Sequence, residues 1–184
     1  MKNYIALLAL AITISSCGSD NLSNSKAKDI LKECLEKSPE QRTARITIGK
    51  ATFRDRDYDK ELLQKYKTLL DEGLIEMTMI NEVKTGYRKR KEFEVKLTEK
   101  ALEHMENVPE NDGTAEAKTY KYVVDEVLEV HETPSTNTAV VKVNFKASEI
   151  TPFAIFAKKE PSEFWLQKLK FTKTSNGWKY CDNF

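Results

Sequence analysis

Between residues 120 and 180 apolar and polar residues alternate in several separate stretches, and a period of two allows few architectures. Tyr120, Tyr122, Val124, Leu128 and Val130 share one parity, with Glu126 the interruption. Ala139, Val141, Val143 and Phe145 alternate with Val140, Lys142, Asn144 and Lys146. Trp165, Leu169 and Phe171 form another face, with Gln167 among them. Turn-forming residues 133–137 (TPSTN) separate the first two stretches, and Asn176-Gly177 is a hairpin signal leading into Trp178 and Tyr180. Residues 118–184 are therefore expected to form an antiparallel meander of about four strands. One aromatic face of that sheet needs a cover, from the first strand pair or a helix of the preceding unit.

The strand order and the closing NGWKY are similar to the ends of small exported domains of cystatin-like or NTF2-like type. That resemblance implies an early helix on the sheet, expected from residues 98–107. Residues 150–164 (ITPFAIFAKKEPSEF) connect two strands at greater length than a hairpin needs, with Phe153, Ile155 and Phe156 between two prolines. They are candidates for a lip that binds a partner or an apolar ligand, or for a loop folded back over the sheet's open end.

The preceding unit, residues 26–107, mixes both periods. Ala27, Ile30, Leu31, Cys34 and Leu35 give a helical face capped by Ser25 and stopped at Ser38-Pro39. Residues 42–53 read as a strand whose parity switches near Gly49, which predicts a bulge. From about Asp59, Leu62, Leu63, Tyr66, Leu69 and Leu70 form a second helical stripe, ended by Gly73. Ile75, Met77, Met79 and then Phe93, Val95, Leu97 read as two antiparallel strands around Gly86, followed by a helix capped by Thr98 that carries Ala101, Leu102 and Met105. Residues 108–117 read as a linker. The overall expectation is an α+β chain, an N-terminal unit followed by a mainly antiparallel β-sheet unit.

The strings LLDEGLI at residues 69–75 and FEVKLTEK at 93–100 resemble a winged-helix motif over residues 58–101, which implies a recognition helix and a wing. Ala101 stands where that family has glycine, and residues 42–53 read as strand where it has its first helix. Arg88, Lys89, Arg90 and Lys91 follow Tyr87 in the densest basic cluster, a candidate anion contact or a solvated hairpin tip. Thirty basic against 29 acidic residues leave a net charge of +1, so the chain has no overall field to attract nucleic acid. Any electrostatic recognition must be local.

The N-terminus carries a separate message. Lys2 precedes an uncharged apolar run at residues 4–14, which at 1.5 Å per residue reaches only about half of a ~30 Å hydrocarbon core. Ile14-Ser15-Ser16-Cys17 follows. This resembles the lipobox of bacterial lipoproteins: residues 1–16 are then a signal peptide, and Cys17 becomes the acylated first residue, modified with palmitate or similar chains. Residues 17–25 (CGSDNLSNS) read as a tether. Gly18 lacks the acidic retention signal of enterobacterial type, which favours the outer over the inner membrane; residue 20, an aspartate, leaves the face open.

The chemistry is sparse. His104 and His131 have no second ligand at metal spacing, and no phosphate loop, nucleophile elbow or S-x-x-K set occurs. Asp55, Asp57 and Asp59 lack the glycine and distal glutamate of a calcium loop and are interleaved with Arg54, Arg56 and Lys60. No catalytic residue, metal or cofactor is expected. Cys34 and Cys181 are either a disulfide, with a nominal entropic stabilisation of about 5 kcal/mol, or two separate thiols. The sequence thus points to a lipid-anchored envelope module that binds a protein or small ligand without catalysis. The alternatives are an enzyme with a carboxylate site near Tyr120 or Tyr122, and a nucleic-acid binder if the chain stays cytoplasmic.

Overall fold

The computed structural model describes residues 21–85, 88–162 and 164–181. The leader, Cys17, Gly86 and Tyr87 lie outside them, and of Thr85 and Arg88 only the backbone is described. The described residues form an α+β fold with a mainly antiparallel sheet of eight strands, in the order Ile75–Thr85 (β2), Arg88–Leu97 (β3), Glu40–Arg54 (β1), Gly113–Thr133 (β5), Thr138–Ser148 (β6), Phe164–Thr174 (β7) and Gly177–Lys179 (β8), with Met105–Asn107 (β4) beside β5.

Helix α1 (Asn24–Lys37) starts two residues earlier than expected, because Ser23, not Ser25, accepts the N–H of Lys26 at 3.2 Å. Leu22, within the expected tether, is already buried, and its N–H bonds the Glu132 carboxylate at 2.5 Å. Strand β1 (Glu40–Arg54) serves two neighbours. Up to Ile48 it pairs with β5 (Gly113–Thr133), and from Gly49 it pairs with β3 (Arg88–Leu97). The change falls at Gly49, whose φ of +74° suits glycine and whose absent Cβ would stand 2.0 Å from the Asp112 side chain. Here the apolar parity passes from Ala44 and Ile46 to Ala51 and Phe53.

Helix α2 (Asp57–Asp71) buries Tyr66 and Leu69 against the sheet, whereas Leu70, expected in the stripe, is 40% exposed. Gly73, at φ +70°, turns the chain into β2 (Ile75–Thr85), which pairs with β3. The helix expected over Ala101, Leu102 and Met105 closes after one turn as α3 (Glu99–Leu102), capped by Thr98. Met105 instead opens a short strand, β4 (Met105–Asn107), on β5. The linker expected over 108–117 is already strand from Gly113.

Strands β5, β6 (Thr138–Ser148), β7 (Phe164–Thr174) and β8 (Gly177–Lys179) form the meander. Two register shifts in β5, at Val124/Glu126 and Val127/Glu129, turn Val127 inward and leave Leu128 43% exposed, the reverse of the parity reading. Its cover is α1, not residues 98–107: Ala27 and Leu31 share a core with Tyr122, Val141, Val143, Phe145 and Phe171. A second core lies between α2 and the other end of the sheet, around Phe53, Tyr66, Leu69, Leu74 and Val95.

Candidate functional site

The sequence candidates fall in three places. Phe153 is fully buried in the α2 core, and Phe156 meets the Tyr66 ring edge-on at 5.4 Å. Thr151 starts this 3-10 turn (Pro152–Phe156), donating its N–H to the Thr119 carbonyl and its hydroxyl to that of Lys118. The segment closes the sheet between β4 and β6, so it is packing and not a free lip; Ile155 alone of the three is exposed.

Around the basic hairpin, the partners already present blunt the charge. Arg90 and Lys50 bracket the buried Glu92 carboxylate at 3.1 and 3.3 Å. The Lys50 hydrogen bond first, then the charges of Lys50 and Arg90 and the Asn81 amide, hold that carboxyl below its ordinary value against the effect of burial. Lys60 likewise holds Asp55 down, from 3.0 Å. Lys89 and Lys91 remain exposed or half-buried beside Phe53 and Leu63 in an open cleft between β3 and the start of α2. Asp55, Asp57 and Asp59 are drawn into this pairing with Lys60 or into solvent, and among the described residues no three His, Cys, Asp or Glu side chains could hold a metal ion.

Cys34 and Cys181 form a disulfide, with Cα atoms 5.7 Å apart. It fastens the end of α1 to the chain leaving β8. Beside it lies a cleft of about 300 Å³, which no single motif announced. Helix α1 supplies Leu31, Leu35 and Cys34 to its roof; Phe145, Trp165 and Leu169 form the floor. Gln167, Glu40 and Tyr180 provide polar groups at its rim. The floor exists because register aligns Phe145 with Trp165 and Val141 with Leu169, all on the face that α1 covers.

The aromatic floor extends sideways. Tyr122 lies 4.8 Å from Trp165 and 5.4 Å from Tyr120, and Arg42, paired with Glu40 at 3.2 Å, places its guanidinium 5.5 Å from the Trp165 ring centre. Burial, and then the nearby Glu40 charge, push the Tyr180 phenol above its ordinary value, so it stays neutral. Tyr120 is also raised, chiefly by burial, and its hydroxyl donates to the Lys159 carbonyl and not to a carboxylate. Such a site offers apolar contact and hydrogen bonds. His104 rests 6.2 Å from the Phe153 ring, and His131 pairs with Glu129 at 2.7 Å on the surface.

No known family model, curated protein or solved structure matches the chain. Among the described residues no helix is long and apolar enough to cross a membrane.

Proposed function

We propose that this chain is a lipid-anchored module of the bacterial cell envelope, held in the outer membrane and binding a partner or small ligand without catalysing a reaction. The anchor reading is carried by one observation, the string Ile14-Ser15-Ser16-Cys17 directly after a short apolar run. What supports the binding half is the apolar cleft under α1, walled by Leu31, Leu35, Phe145, Trp165 and Leu169 with Glu40, Gln167 and Tyr180 as polar groups, of which Glu40 pairs with Arg42 outside the cleft. The winged-helix likeness of residues 58–101 enters only as shape: α2, β2, β3 and α3 follow in that order, with β1 where a first helix would stand. We infer a helix-and-hairpin unit and no DNA reader.

The test is metabolic labelling of the full chain with a tagged fatty acid, followed by mass spectrometry of the mature N-terminus. Label on Cys17, lost in Cys17→Ala, is the expected result. A mature protein that begins at Met1 without label would overturn the anchor.

A further inference from the structure

Among the described residues β7 is the last strand of the sheet over most of its length. Strand β8 pairs only with Thr172, Lys173 and Thr174. Residues 164–171 are bonded to β6 on one side, and among the described residues no strand lies on the other. This stretch has no bulge and no proline: its register with β6 runs unbroken from Thr138↔Thr172 to Lys146↔Phe164. By contrast the opposite edge, β2, is kinked by a register shift between Met79 and Asn81. Apart from the Phe164 carbonyl, which accepts the Ser162 hydroxyl at 2.6 Å, such a straight edge beyond the last described strand is a template for one more extended chain.

The two faces of that edge differ, and together they specify what would bind. On the inner face Trp165, Gln167 and Leu169 form part of the cleft that α1 roofs with Leu31 and Leu35, so alternate side chains of an added strand would enter an apolar space. On the outer face stand Phe164 and Leu166, 52% and 51% exposed, then Lys168 and Lys170. Lys142 of β6 lies directly across from Lys168, a like-charge pair. Lys142 has Glu129 of β5 across from it on its other side, whereas Lys168 and Lys170, on the edge itself, have no ion-pair partner among the described residues.

We propose that the edge of β7 and the cleft under α1 form one peptide-binding site, which takes an extended acidic segment of another protein as an added strand. Its apolar side chains fill the cleft at every second position, and its carboxylates lie along Lys168 and Lys170. A second copy of this chain is the poorer occupant, since pairing β7 with itself brings lysine rows together. The inference deepens the binding-module reading and rests on it, but it is independent of the lipid anchor.

The experiment uses the full chain in detergent and a fluorescent decapeptide alternating Val or Ile with Glu. Two control peptides replace Glu by Lys, or keep the composition with the apolar residues in one block. Fluorescence anisotropy should give at least tenfold tighter binding for the alternating acidic peptide than for either control. Hydrogen exchange should slow at the amides of residues 164–171. Lys168→Glu with Lys170→Glu, both exposed and remote from the cores, should reverse the preference between the acidic and basic peptides. Leu35→Trp, which fills the cleft from the half-exposed side of α1, should weaken the acidic peptide at least tenfold. Equal affinity for the three peptides, protection elsewhere, or a dimer already protected at residues 164–171 without peptide would each overturn the proposal. Loss of acyl label with peptide binding retained would remove the anchor and leave this site standing.

Discussion

Tyr66 joins two parts of the fold through a single oxygen. Its hydroxyl accepts the N–H of Thr47 at 2.7 Å and donates to the Thr47 carbonyl at 3.0 Å, while its ring packs edge-on against Phe53. Tyr66→Phe keeps the ring and orphans both backbone groups, so it should cost about 1–3 kcal/mol in denaturant unfolding. An unchanged midpoint would mean that water satisfies Thr47. Glu92 makes a different test, one of pH. Lys50 and Arg90 hold its carboxyl below the ordinary value, so its stabilising contribution is present above the carboxylate range and is lost as pH falls through the depressed value. Glu92→Gln should therefore be less stable than the native chain at neutral pH, with the gap closing in acid. Residues of this kind were only partly legible in sequence. Tyr66 stood in the helical stripe, but its hydroxyl's partner, 19 positions earlier, did not. Leu128 was misread because two register shifts in β5 invert the parity on which such assignments depend.

At the level of elements, local signals worked where the determinants are local. The Thr98 cap, the Gly73 terminus and the Asn176-Gly177 turn stand near their expected positions; the bulge expected near Gly49 is instead a change of pairing partner, and the register shift of β1 lies at Arg42/Thr43. Helix α3 was overextended because Met105 suits either a helical stripe or a strand, and pairing with Ala117 of β5 decides for the strand. The Phe153 segment is the clearest case of an element whose role depends on its neighbours. In sequence an apolar connection between prolines reads equally as lip or plug; in the fold its Phe153 side chain completes the α2 core. Phe153→Ala should accordingly cost about 3–5 kcal/mol, as a cavity in a packed core does. It should leave peptide binding at β7 unchanged in protein that remains folded. A stability change under 1 kcal/mol by chemical unfolding would show that the segment is not packed as described.

For the whole molecule, the long-range arrangement carries the consequences that sequence could not supply. Helix α1 precedes the N-terminal core in the chain yet covers the C-terminal sheet, and its disulfide to Cys181 fixes it there across 147 positions. The same placement puts Leu22 at one end of the body, beside Glu132 and the turn Pro134–Thr136. The β2–β3 hairpin is carried away from that end along β5 and then along β1. With Cys17 acylated as proposed, only five residues separate the lipid from Leu22, and at about 3.5 Å each they reach at most ~18 Å. The turn at Ser135 must then lie near the bilayer surface and Lys89 far from it. A fluorophore attached through Ser135→Cys should be quenched strongly by headgroup-labelled lipid in reconstituted vesicles, and one attached through Lys89→Cys weakly. In that orientation the straight edge of β7 stands upright beside the membrane, reachable by an extended segment from the aqueous side. Equal quenching at the two positions would mean that the short covalent link does not set the orientation, and the anchored arrangement would have to be abandoned.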